Sequence, residues 1–147
     1  MGKKLLVVLD TNVFVSGILS SKGVPGAILQ HFKQREFDVV VSKAQIREIL
    51  DVLQRPHLRK FLPGSTLKEV VSFLLKFKKI CQVIVGVPKL SWNFQDAKDY
   101  FLLDLSAHID ADYLVTGDKR LRALAVIKDT VIITPAEFLV ELSAGKK

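Results

Sequence analysis

The chain has 147 residues, 49% hydrophobic and 25% charged, an ordinary globular composition on a length that can bury a core. No apolar run approaches the roughly 18 residues of a membrane span, and the single cysteine excludes an internal disulfide. With 22 Lys and Arg against 15 Asp and Glu, the net charge of +7 favours a polyanionic partner without identifying one.

Strand one is expected from about Lys4 to Leu9. Lys3-Lys4 and the aliphatic run after them imitate the start of a signal peptide. Asp10 cuts that run too short for one, and no small-residue cleavage site follows, so a buried strand is the reading. Residues 11–23 are expected as a loop. Pro25 then suits the first turn of a helix reaching Gln34, and Asp38 to Val41 is a short second strand. Ser42 and Gln45 have the spacing of a capping box, opening a helix whose apolar stripe is Ile46, Ile49, Leu50 and Leu53. Pro56 stops it. After a Pro63-Gly64 turn, Thr66 and Glu69 cap a further helix. Cys81 to Val85 is the third strand, with Cys81 a core thiol.

Residues 86–94 form a loop containing Trp92, and a helix spans Asp96 to His108. Asp112 to Thr116 is the fourth strand, and a short helix begins at Lys119. Val131 to Ile133 is the fifth strand. Thr134, Pro135 and Glu137 supply an N-cap, a first-turn proline and an N3 glutamate to the last helix, and residues 145–147 are a frayed tail. Alternating strands and helices imply a parallel-sheet α/β fold, and no linker or repeat divides it.

Four acids fall where such a sheet gathers its chemistry. Ligands of open parallel sheets bind beyond the carboxyl ends of the strands, and Asp10 and Asp118 follow strands one and four. Glu48 lies between Ala44 and Val52, off the apolar stripe, where burial of its charge would be costly unless relieved by a metal or a base. Asp96 and Asp99 are three apart at a helix start. Each has a plainer reading: a turn for Asp10 and Asp118, pairing with Lys43 or Arg47 for Glu48, an N-cap for Asp96, and a helix-dipole partner for Asp99. His31, His57 and His108 show no metal-ligand spacing, and no glycine-rich phosphate loop is present.

Together the contexts are more specific. Leu9-Asp10-Thr11-Asn12-Val13, Ser42 with Glu48-Ile49-Leu50, Asp96-x-x-Asp99-Tyr100-Phe101-Leu102-Leu103, and Ala111-Asp112-Tyr113-Leu114-Val115-Thr116-Gly117-Asp118-Lys119, in that order, closely resemble the PIN-domain ribonucleases. Ile132-Ile133-Thr134-Pro135-Ala136-Glu137-Phe138-Leu139 resembles the family's last strand and helix, so the likeness runs from about Leu5 to Leu142.

The resemblance implies a three-layer α/β/α domain around a central, mainly parallel sheet of about five strands, one domain over residues 1–147 with its core from about 4 to 142. It implies Asp10, Glu48, Asp99 and Asp118 as catalytic and metal-holding acids. Thr11, Asn12, Asp96 and Thr116 would support them, with Thr116 orienting Asp10 or Asp118. Many relatives carry Asp-Pro-x-Asp where this chain has Ala97, which puts Asp96 in doubt. Oxygen-only ligands favour Mg²⁺ or Mn²⁺ over zinc.

The implied activity is hydrolysis of RNA phosphodiesters by water, leaving a 5′-phosphate and a 3′-hydroxyl. Lys43, Arg47, Lys119, Arg120 and Arg122 are candidate phosphate contacts, each with a solvated basic face as its alternative. The chain looks most like VapC-type toxins of toxin–antitoxin pairs, which implies a homodimer with a cognate antitoxin, and the single cysteine suits a reducing cytoplasm. Alternatives are an orphan or housekeeping ribonuclease and a catalytically silent binding module. A receiver-like phosphoacceptor would need paired acids after strand one and a lysine after strand five. Here Asp10 stands alone and Thr134-Pro135 follows the last strand.

Overall fold

Five aliphatic residues in a row, Leu5 to Leu9, cannot alternate between core and solvent, so a strand made of them must be covered on both faces. The computed structural model, which describes residues 4–56, 75–76, 79, 81–90 and 100–144, places this strand (β1, Leu6–Leu9) inside a six-stranded sheet. The other described elements are α1 (Thr11–Leu19), α2 (Gly23–Lys33), β2 (Asp38–Ser42), α3 (Lys43–Leu53), β3 (Gln82–Ile84), α4 (Tyr100–Ile109), β4 (Tyr113–Val115), α5 (Lys119–Arg122), β5 (Val126–Ile127), β6 (Thr130–Ile133) and α6 (Pro135–Ala144). The sheet order is β3-β2-β1-β4-β6-β5, parallel except for the β5–β6 hairpin. That hairpin adds a two-residue antiparallel edge beyond the five expected strands, too short to carry a sequence pattern.

Alternate residues of β1 enter different cores. Val7 and Leu9 pack with Phe14, Leu29, Ile49 and Phe138, drawn from α1, α2, α3 and α6. Val8 packs on the other face with Leu102, Leu105 and Leu121, from α4 and α5. The result is the three-layer α/β/α arrangement. Strand order reverses between β1 and β4: the chain leaves β1 for β2 on one side and returns to β4 on the other. A crevice at the carboxyl ends of β1 and β4 follows from that reversal.

The segment expected as a loop after β1 is instead helix α1. Asp10 is its N-cap, with Oδ1 accepting the Asn12 amide at 3.1 Å. β-Branched Val13 and Val15 with Ser16 and Gly17 make a poor helix by propensity, and burial of Val13, Phe14 and Val15 overrides that. α1 and α2 then pack closely. A Cβ on Gly26 would lie 2.5 Å from the Ser20 carbonyl oxygen, and one on Gly17 would lie 2.7 Å from Leu29 side-chain atoms.

The helix opening at Lys43 also differs from expectation in one side chain. Ser42 Oγ accepts the Gln45 amide at 3.1 Å, half of a capping box. The Gln45 side chain does not return to the Ser42 backbone. It points into the protein, fully buried, and joins Ile49, Val52 and Leu53 on the inward face. At α6 the box is complete: Thr134 N donates to Glu137 Oε1 at 2.9 Å and Glu137 N to Thr134 Oγ1 at 3.1 Å. Cys81 lies just before β3, partly buried against the core, and burial pushes its thiol pKa up to about 12. The expected Pro63-Gly64 turn, the Thr66 helix with Phe73 and Phe77, Trp92, Phe94, His57 and the 145–147 tail fall outside the described residues, as do Asp96 and Asp99.

Candidate active site

Asp10 follows β1 directly, and its amide donates to the Val115 carbonyl at 2.9 Å, so the end of β1 is locked to the end of β4. The Asp10 side chain is only 8% exposed. Its Oδ2 accepts the Thr116 hydroxyl at 2.5 Å, while Oδ1 accepts the Asn12 amide. Thr116, wholly buried, also accepts the Asp118 amide at 3.0 Å on the same oxygen. One hydroxyl therefore fixes both the Asp10 carboxylate and the backbone that launches Asp118. Asp118 caps α5, its Oδ1 accepting the Arg120 amide at 2.8 Å.

Glu48 arrives from α3. Asp10, Glu48 and Asp118 line one pocket of about 400 Å³, together with the polar edge formed by Asn12, Ser16 and Gly117. Pro25 and Pro135 form part of its rim. Burial raises the Glu48 pKa, and the nearby Asp10 charge raises it further. The Thr11 hydroxyl and Arg55 pull it down, and Asp51 adds a small upward push. Thr11 is 1% exposed, and its hydroxyl lies close enough to Glu48 to favour the charged carboxylate, although Oγ1 closes no hydrogen bond of good geometry. Neither Lys43 nor Arg47 pairs with Glu48 within salt-bridge distance among the described residues.

Among the described residues, no three His, Cys, Asp or Glu side chains stand close enough to form a metal-holding group. The acids that share the pocket offer only oxygen donors, and the mutual repulsion of Asp10 and Glu48 is what a bound cation would relieve. The unpartnered Thr11 oxygen beside them is a further polar atom lacking a partner. This donor chemistry fits a hard divalent cation.

Of the candidate phosphate contacts, Lys43, Arg47, Lys119, Arg120 and Arg122 are all exposed, and none lines the pocket. The Glu137 pKa is lowered mainly by its hydrogen bonds with the Thr134 amide and hydroxyl, and the Arg122 charge adds a smaller pull. Three residues at or beside the pocket escaped the reading of the sequence. Ser16 was hidden in the supposed loop, and Arg55 lies just past the end of α3, close enough for its charge to act on Glu48. Gln45 had a usable signal: it lies four residues before Ile49 and seven before Val52, in phase with the buried face.

The PIN-domain family model matches residues 6–120 of this chain, from β1 into α5. The chain belongs to the PIN-domain family, whose members are generally nucleases acting on RNA and typically dependent on divalent metal. A relative, the uncharacterized protein MJ1680 of Methanocaldococcus jannaschii, is 30% identical over 122 residues, spanning 82% of this chain and 76% of its own.

Proposed function

We propose that this protein is a Mg²⁺- or Mn²⁺-dependent endoribonuclease and the toxin of a type II toxin–antitoxin pair. The observation that carries the nuclease reading is the convergence of Asp10, Glu48 and Asp118 on one pocket at the β1/β4 crossing, with Asp10 raising the Glu48 pKa. Asp10 and Asp118 would hold the cation, with Glu48 and with Asp99, which immediately precedes α4 in the sequence. Bound there, a divalent cation supplies Lewis acidity to a phosphodiester and its attacking water. Thr116 keeps the Asp10 carboxylate in place by its hydroxyl. Glu48, its pKa shifted towards neutrality, is suited to accept the proton that the attacking water loses.

Lys43, Arg47, Lys119 and Arg120, with Arg55 near Glu48, would hold RNA phosphates, and the net charge of +7 supports such a partner. The toxin role, the antitoxin, the homodimer and a cytoplasmic location rest on the sequence resemblance. A thiol as inert as Cys81 is compatible with a reducing compartment. No helix among the described residues is long and apolar enough to cross a membrane.

Purified protein should cleave single-stranded RNA to 5′-phosphate ends, lose that activity in chelator and regain it with Mg²⁺ or Mn²⁺. Equal cleavage with and without chelator would remove the metal from the mechanism. For the toxin role, the informative observation is whether a short reading frame immediately upstream encodes a protein that relieves growth arrest on co-expression.

A further inference from the structure

A glutamine in the core of this protein is satisfied on one side only. Gln45 is 0% exposed, on a helix row otherwise made of Ile49, Val52 and Leu53. Its Nε2 donates to the carbonyl of Leu9, a short contact between α3 and the last residue of β1. Its Oε1 has no partner. A buried, unpartnered amide oxygen costs stability, and an aliphatic residue would fill the same place without that cost. Positions where a sequence breaks its own packing rule are where function is to be sought.

The two ends of the Gln45 contact lie on the elements that carry two of the pocket acids. Leu9 immediately precedes Asp10, whose Oδ2 and Oδ1 are already engaged by Thr116 and Asn12. Glu48 is one turn beyond Gln45 on α3, three residues on and on a neighbouring face. One side chain thus joins the strand that delivers Asp10 to the helix that delivers Glu48. Without it, the Leu9 carbonyl would lose this donor, and α3 would have no polar fastening to the β1 terminus among the hydrogen bonds described. Apolar packing alone permits a helix to slide or roll by fractions of an ångström, because dispersion contacts have no direction. A hydrogen bond does have direction.

We infer that Gln45 is a positioning residue that sets the separation of Asp10 and Glu48 by clamping α3 to the carboxyl end of β1. The inference rests on the proposed nuclease reading for its catalytic consequence, but its effect on cation binding can be measured independently. It predicts that Gln45 matters to the site more than to the fold. In Gln45→Met the orphaned Oε1 disappears while the Leu9 carbonyl loses this donor, and the two changes oppose each other.

The test uses the full chain with Gln45→Met, of similar length, and Gln45→Asn, one methylene too short to reach Leu9. Thermal unfolding is followed by circular dichroism, Mn²⁺ binding by calorimetry, and cleavage of single-stranded RNA by steady-state kinetics. Both variants should unfold cooperatively, Gln45→Met near the wild-type midpoint and Gln45→Asn below it, because the shorter amide is buried without a partner. Each should bind Mn²⁺ more weakly and lose kcat by roughly 10- to 100-fold, with KM for RNA nearly unchanged, the range expected when the support of a metal-holding group is removed.

A variant that binds Mn²⁺ and turns over like the wild type would overturn the inference. So would a Gln45→Met variant that fails to fold cooperatively, since Gln45 would then be a structural member of the core. A wild-type protein that binds Mn²⁺ but cleaves no RNA would defeat the nuclease reading, and the Mn²⁺ affinities of the variants would still decide the role of Gln45.

Discussion

At Asp10 a single carboxylate caps α1, accepts the Thr116 hydroxyl and raises the Glu48 pKa, so its structural and chemical roles have to be separated by experiment. Asp10→Asn keeps the shape and an acceptor for the Asn12 amide, and the Thr116 hydroxyl can rotate to accept from the new amide. The variant is expected to fold with stability equal to or above wild type, because one of two repelling charges is gone. Its cleavage should fall on the order of a thousandfold or more, the loss of several kcal/mol of electrostatic stabilisation. Near-wild-type turnover in a correctly folded Asp10→Asn protein would mean that the site lies elsewhere.

Glu48 carries a pH signature at the same scale. Its folded pKa is raised, first by burial and then by Asp10, so the folded state binds a proton more tightly than the unfolded chain does. Stability linked to that proton is fully present below the unfolded value, about 4.3, and is lost as pH rises through the raised folded value. In chelator, Glu48→Gln should therefore be more stable than wild type at pH 7, with the difference shrinking as pH falls towards 4. Denaturant titrations at several pH values measure this directly. A variant less stable than wild type at pH 7 would show that the Glu48 carboxylate is stabilised by partners in the metal-free protein.

Among the elements, α1 departs furthest from sequence expectation, and with α2 it forms one wall of the pocket through Asn12, Ser16 and Pro25. Gly26 allows the contact. Alanine at an ordinary helix-interior glycine stabilises a protein, yet here the added methyl would meet the backbone of Ser20 and Ser21 at 2.5 Å. Backbone cannot swing aside as a flexible side chain can, so Gly26→Ala is expected to destabilise by about 1–3 kcal/mol. Urea unfolding would register the change in midpoint, and an increase in stability would show that α1 and α2 separate at little cost. α6 is fastened differently. Its reciprocal Thr134–Glu137 cap sets the start of the helix, and Phe138 packs edge-on against Phe37 with centroids 5.1 Å apart.

For the molecule as a whole, the excess of Lys and Arg coexists with a pocket lined by acids. In the proposed ribonuclease, long-range attraction would bring RNA to the surface, and local repulsion from the carboxylates would keep a phosphodiester out of the pocket until a cation neutralises them. A partner that silences such a site most directly would place an Arg or Lys among the carboxylates, on a segment that folds as it binds. The homodimer expected from resemblance should appear as twice the 16.4 kDa chain mass by light scattering at micromolar concentration. A monomer under those conditions would remove it.

Legibility in the sequence followed the range of the interactions. Five of the six described strands, the helices other than α1, and the strand-end positions of Asp10 and Asp118 come from local patterns: aliphatic runs, capping residues, and acids at the breaks between them. The Thr134 cap could be read for the same reason, since all its partners lie within four residues. What needed the tertiary structure was every contact whose partners are far apart in the chain. Thr116 reaches Asp10 across 106 residues, and Gln45 reaches Leu9 across 36. Helix α1 forms against its propensities because α2 and the sheet bury it. Glu48 has a perturbed carboxyl only because α3 is laid beside the end of β1. Periodicity shows which side of an element faces inward. The atoms it meets there are decided when the sheet assembles and brings distant residues within hydrogen-bonding reach.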